Sequence, residues 1–230
     1  MGSGSLITFP TLLAVGFDSV TANVSNNIGL VPGSLSGVIG YRRELQGQRA
    51  RLVRLGCASI SGGITGAVVL LTLPSDVFDS VVPVLILVAC VLVAVQPRVS
   101  RWLAARRGDE PAHGGAVLLG GVYLTGVYGG YFGAAQGVIL MALLSIFLAD
   151  HLQRLNGAKN VLAMLVNATA AVIFIVFADV AWEVVGLIAL GSTLGGQIGA
   201  TVGRRLPQPA LRAVILVVGT TVAIRLLIDS

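Results

Sequence analysis

TANVSNN at residues 21–27 and RLNGAKN at residues 154–160 are two copies of one signature, and their relation decides how the chain folds. Asn156 and Asn160 follow Asn23 and Asn27 by 133 residues each. Residues four apart stand on one face of a helix, so each copy presents two carboxamides to the same place. A carboxamide both donates and accepts hydrogen bonds. In a chain that is 55% hydrophobic, such a pair is where a polar substrate could be held.

The offset of 133 runs on without a gap. Gly4 falls on Gly137, Leu6 on Ile139 and Leu13 on Ile146, and Gly62, Gly63, Gly66 and Ala67 fall on Gly195, Gly196, Gly199 and Ala200. Leu73 and Pro74 then meet Leu206 and Pro207. Thirty glycines produce some chance matches, but one register joining Asn, Gly and Leu-Pro positions marks a duplication.

A mean hydropathy of +0.91 with 11% charged residues excludes a soluble globule and predicts an all-α, polytopic membrane protein. Apolar stretches of about 20 residues, long enough to span, run over 22–41, 54–73, 78–96, 114–133, 159–178, 183–203 and 209–228. Two shorter ones, 4–16 and 137–149, are too short for a straight span. They read as broken half-helices, which a membrane protein holds by covering the interrupted backbone with protein.

A net charge of +5 in a soluble chain would suggest nucleic acid, but its distribution excludes that partner. Fourteen of the fifteen cations fall at alternate ends of the spans, in 42–54, 98–107, 154–159 and 204–212. The positive-inside rule makes those segments cytoplasmic. The opposite ends carry Asp18, Asp76, Asp79, Asp179 and Glu183.

Charge also orients the two copies. Segment 42–54 holds five arginines while its equivalent 175–187 holds Asp179, Glu183 and no cation, and 74–79 is acidic where 207–212 holds Arg212. The halves, 1–97 and 114–230 with a cytoplasmic linker over 98–113, therefore insert with opposite orientation. Inverted repeats with broken helices meeting near the midplane are a plan of secondary transporters. The second copy is preceded by the apolar stretch GGAVLLGGVYLTGVYGGYFGAAQG, and the first has no counterpart to it. A start upstream of Met1 is the expectation, because a repeat fold without that helix exposes its partner's face.

Within the first copy, a break is expected at Gly16-Phe17-Asp18. The helix after it carries Gly29, Gly33 and Gly37, whose spacing admits another helix closely, and Pro32 should kink it. Gly62, Gly63, Gly66 and Ala67 form a second close-packing face, repeated over 195–200. Trp102 reads as an interfacial anchor and His113 as a solvated loop residue.

Each polar position has a plain reading beside the functional one. An intramembrane Asn can simply link helices, at about 0.6 kcal/mol. Four at repeat-related positions, each just after a short broken helix, point to substrate contact, because exposed helix N-termini favour anions. Glycines at 2, 4, 133 and 137 would open backbone amides to a ligand, and Gln136 offers another carboxamide. Lys159 stands where the first copy has Asn26. It either balances an anionic substrate or extends to the cytoplasmic surface. Asp150 and His151 fit an ordinary turn or a proton-coupling role. Cys57 and Cys90 read as small buried hydrophobes. No nucleotide loop or metal-ligand cluster indicates a cofactor. An intramembrane serine protease needs Ser and His facing at depth, and both histidines fall in loops. A channel or structural subunit is the remaining alternative to a carrier; it would show neither saturation nor counterflow.

The stretch GSGSLITFPTLLAVGFDSVTANVSNNIGLVPGSLSGVIGYRREL, with its echo GGYFGAAQGVILMALLSIFLADHLQRLNGAKNVLAMLVNATAAVIF, resembles the sulfite exporter TauE/SafE family of bacterial membrane proteins. The resemblance covers nearly the whole chain. It implies an inner-membrane permease whose cargo is sulfite or an organosulfonate. The sequence departs from the family pattern in lacking the helix before the first glycine motif. The site candidates Asn23, Asn27, Asn156, Asn160, Gln136, Gly4, Gly137 and Lys159 rest on the repeat, not on the resemblance.

Overall fold

The computed structural model describes residues 4–105, 115–201 and 216–224. They form α1 (Ser5–Val15), α2 (Ser19–Gly40), α3 (Arg49–Thr72), α4 (Ser75–Ala105), α5 (Gly115–Tyr131), α6 (Gln136–Phe147), α7 (Leu152–Phe177) and α8 (Trp182–Thr201), with α9 over 216–224. Gly2, His113, the arginines at 106, 107, 204, 205 and 212, and the Leu-Pro pair at 206–207 lie outside the described residues, as does the packing of Gly196, Gly199 and Ala200.

The first break forms where the sequence places it. Gly16 ends α1 in the left-handed region at φ 97. Its N–H donates to Leu13 O at 3.0 Å and that of Phe17 to Leu12 O at 3.1 Å, which satisfies carbonyls the helix leaves open. Asp18 then caps α2, its carboxylate accepting from the Thr21 N–H at 3.0 Å. At 11 and 12 residues, α1 and α6 are about 16–18 Å long and stop well short of a hydrocarbon core of about 30 Å.

Among the described residues, three helices are long and apolar enough to cross a membrane: Arg49–Thr72, Ser75–Arg98 and Leu152–Phe177. Shorter apolar helices cover Ser5–Val15, Gln136–Phe147 and Trp182–Gly195. The 22-residue α2 has the length, but Asn23, Ser25, Asn26 and Asn27 dilute its apolar character. Pro32 lies inside it without ending it. Helical structure in α4 runs on to Ala105, through the start of the segment expected as a linker, where Leu, Ala and Arg all suit a helix. Large apolar side chains such as Phe177 (74% exposed) and Leu187 (73%) point outward, as a lipid-facing surface requires and a water-facing one avoids.

Helix starts keep the offset of the sequence: α2 and α7 begin at Ser19 and Leu152, α3 and α8 at Arg49 and Trp182. Packing crosses between the copies, α3 lying on α7 and α8 on α2, while α2 and α7 meet directly. Glycine sets the tightest approaches. A Cβ on Gly62 would sit 2.2 Å from Tyr123 O, one on Gly66 2.1 Å from Val127 O, and one on Gly130 2.3 Å from Gly63 O. Backbone therefore touches backbone where α3 meets α5. Gly29 and Gly33 admit Ile188 and Ser192 of α8 in the same way, whereas Gly37 and Gly195 have no neighbour within 4 Å. Cys90 is buried, but Cys57 is exposed, which corrects the expectation that both would be; α3 turns Cys57 outward.

Among the described residues, two buried clusters fill the bundle. One gathers Leu6, Phe9, Phe78, Ile86 and Phe132. The other gathers Leu55, Leu118, Leu140, Leu144, Leu148, Leu155 and Leu162 between α3, α5, α6 and α7.

Candidate functional site

The second break, Phe132–Ala135 between α5 and α6, is held by contacts from several helices. Gly133 (φ 78) and Ala135 (φ 59) both adopt the left-handed region. Ala135 does so with a Cβ, at a cost of roughly 1–2 kcal/mol, so surrounding contacts must fix it. The Tyr128 hydroxyl donates to Ala134 O at 2.6 Å. Phe132 meets Phe9 of α1 edge-on at 5.3 Å between centroids, and Tyr131 meets Phe78 of α4 at 5.4 Å. Asn23 Nδ2 donates to Tyr131 O at 2.9 Å, occupying one of the carbonyls at the end of α5 that no helical N–H reaches.

The first copy thus reaches both the α5–α6 break and the start of α1. Asn23, Asn26 and Asn27 are all buried on α2. While Asn23 holds the α5–α6 break, Asn26 Oδ1 accepts a hydrogen bond from Thr8 Oγ1 in the first turns of α1. Asn27 Oδ1 is buried with no hydrogen-bond partner. Gly4 is the exposed N-cap of α1.

Gln136, the first residue of α6, is buried with its side chain packed where Gly129 has no Cβ. A Cβ there would fall 2.4 Å from the carboxamide nitrogen. That Nε2 has no hydrogen-bond partner. Gly137 follows it, half-buried. This unpartnered donor stands at the N-terminus of α6, where the Val138 N–H already donates to Ala135 O at 2.8 Å and where a helix dipole favours negative charge.

In the second copy Asn156 and Asn160 are half-buried on α7 and Lys159 is 8% exposed. Lys159 Nζ donates to Asn156 Oδ1 at 3.4 Å. Its ammonium is turned into the bundle and does not extend to the surface. Direct packing of α2 on α7 links the two copies. Repeat reasoning selected the Asn positions; it missed Thr8 and the Tyr131 carbonyl, since Thr8 maps to Met141 and a backbone oxygen leaves no mark in a sequence.

Asp150 and His151 lie in the α6–α7 turn. Arg51 Nη1 and Arg154 Nε approach the two Asp150 oxygens at 2.7 and 2.9 Å. Burial pushes this carboxyl up, but the hydrogen bonds from Arg51 and the His151 N–H and the charges of Arg154 and Arg51 outweigh it and hold it below the ordinary aspartate range. An aspartate so paired is ionised and serves structure, not proton carriage near neutrality.

Broken helices inside an apolar helical bundle, with polar side chains buried against the breaks, define a membrane transporter. The chain matches the family described as Sulfite exporter TauE/SafE over residues 1–226 and belongs to it. Its curated relatives include Probable membrane transporter protein ORF9 of Sinorhizobium sp, 25% identical over 99% of this chain and 86% of its own length. Probable membrane transporter protein YfcA of Escherichia coli K12 is 24% identical over 100% and 84%. A probable membrane transporter protein of Haemophilus influenzae is 22% identical over 100% and 88%. No solved structure matches the chain.

Proposed function

We propose that this chain is a secondary carrier of a small anion, exporting sulfite or an organosulfonate across the bacterial inner membrane. The observation that carries this reading is the open, buried Nε2 donor of Gln136 at the N-terminus of α6. An unmet buried donor costs about 1–3 kcal/mol, a cost that an anion's oxygen removes. Lys159 supplies positive charge, and Asn27, Asn156 and Asn160 supply carboxamides that turn either a donor or an acceptor to the cargo. The family's description names sulfite, an oxyanion of matching chemistry.

In this reading the chain has seven spans and two short broken helices, arranged as inverted repeats 1–97 and 114–230 about the linker 98–113. Basic segments 42–54, 98–107, 154–159 and 204–212 face the cytoplasm. The matching helix starts and the exchange of α3 and α8 between copies support that arrangement. Related halves of opposite orientation can exchange conformations and open one site alternately.

Counterflow in proteoliposomes tests it. Vesicles loaded with unlabelled sulfite, sulfoacetate, a simple carboxylate or zwitterionic taurine should accumulate the labelled counterpart saturably with at least one of these substrates. Flux without saturation or counterflow would make the chain a passive channel.

A further inference from the structure

The two ends of the bundle are closed by different chemistry. At the end with the basic residues, Asp150 accepts from Arg51 and Arg154 at 2.7 and 2.9 Å. Buried Gln48 donates to Glu44 O at 2.7 Å and Arg154 O at 3.3 Å, and Arg154 Nη1 donates to Gln46 O at 3.1 Å. These bonds clamp the 41–48 segment and the first turn of α3 onto the α6–α7 turn. Beneath the clamp Leu55, Leu144, Leu148 and Leu155 are each at most 3% exposed. Repeat-equivalent positions at the other end hold no such charges: Gln48 corresponds to Ala181, Arg51 to Val184 and Asp150 to Phe17. There, the Ala181 N–H donates to Ser25 Oγ at 3.0 Å and Ser19 Oγ donates to the Asp79 carboxylate, and no arginine–carboxylate pair stands at that end among the described residues.

We propose that Arg51, Asp150 and Arg154 form the gate that shuts the substrate path at the basic, cytoplasmic end, and that the resting carrier is closed there. The gate rests on the carrier reading above and adds its regulation. Two arginine–carboxylate pairs hold this end more strongly than one hydroxyl–carboxylate bond holds the other, so this end yields last. Asp150 sits in the turn joining α6, which bears Gln136, to α7, which bears Asn156 and Lys159. Its release frees both elements together, while the plug of leucines parts.

The test reads access and needs no substrate. In a background of Cys57→Ser and Cys90→Ser, Leu148→Cys reports entry of a membrane-impermeant maleimide in inside-out and right-side-out vesicles. Labelling from the cytoplasmic side should be slow in this parent. Asp150→Asn and Arg51→Gln should each speed it by about tenfold or more, the scale of a lost charge-assisted bond, while Asp150→Glu keeps it slow. Arg51→Gln retains the Arg154 pairing, so it reports even if Asp150→Asn fails to insert. Unchanged labelling in the Arg51 variant, or acceleration only from the opposite side, overturns the gate. Accelerated labelling in a protein without counterflow would sustain the gate and sink the carrier; counterflow with unchanged labelling would do the reverse.

Discussion

Asn23 Nδ2 lies 2.9 Å from the carbonyl oxygen of Tyr131, 108 residues further along the chain. The bond joins the signature helix of the first copy to the end of α5, at the entry to a break with two left-handed residues. Asn23 therefore positions the N-terminus of α6, while Gln136 Nε2 and Asn27 Oδ1 stay without a hydrogen-bond partner, the atoms that the proposed carrier would turn to its cargo.

Asn23→Ala should weaken transport while leaving membrane insertion intact, with a stability loss of about 1 kcal/mol for the bond. Counterflow rates alongside thermal unfolding in detergent check this. Because Asn23 acts through the break, its substitution should lower the maximal rate, whereas Asn27→Ala and Gln136→Ala should raise the half-saturating concentration. Unaltered kinetics in all three would reduce these carboxamides to links between helices.

Lys159→Met keeps the apolar stem and removes the charge. A hydrogen bond to a charged group contributes about 1.5–3 kcal/mol, so half-saturation for an anion should rise roughly 10- to 100-fold. Lys159→Asn, which installs the residue of the first copy, should rescue little of it. Equal affinity in the Met variant would place the ammonium in the scaffold and not at the cargo.

Gly66→Ala should destabilise the bundle, since its Cβ would fall 2.1 Å from the Val127 carbonyl. Forcing α3 from α5 costs about 1–3 kcal/mol as overpacking, visible as a lower unfolding temperature. Gly37→Ala meets nothing within 4 Å and should be neutral or stabilise by up to about 1 kcal/mol through helix propensity. Equal melting of the two variants would contradict the close crossing.

The pH dependence of the Arg51–Asp150–Arg154 cluster has a defined sign. The native carboxyl is held below its ordinary range, so its pairing contributes fully above the unfolded value of about 3.9 and is lost as pH falls through the lower native one. Labelling of Leu148→Cys should be flat from about pH 8 to pH 5. A transition near neutrality would assign the gate to another group.

The helix ends were legible because local chemistry sets them: Gly16 stops α1 and Asp18 starts α2 whatever else the chain does. The Asn positions were legible because duplication writes them twice. Long-range partners were not, since nothing in Arg51 or Asp150 encodes that 99 residues of chain close into one ion pair. Exposure of Cys57 was equally hidden, because a span apolar on every side does not reveal which face meets lipid.

The placing of α3 on α7 bears on how the chain is made. α3 ends at Thr72 and α7 at Phe177, an interval a ribosome covers in about 5–20 seconds. Gly63 meets Gly130 of α5 earlier, but its side turned to Val166 waits for that whole time against lipid or the insertion machinery. Severed halves should then fail singly and assemble when made side by side, as strands of one knotless braid that neither can finish alone.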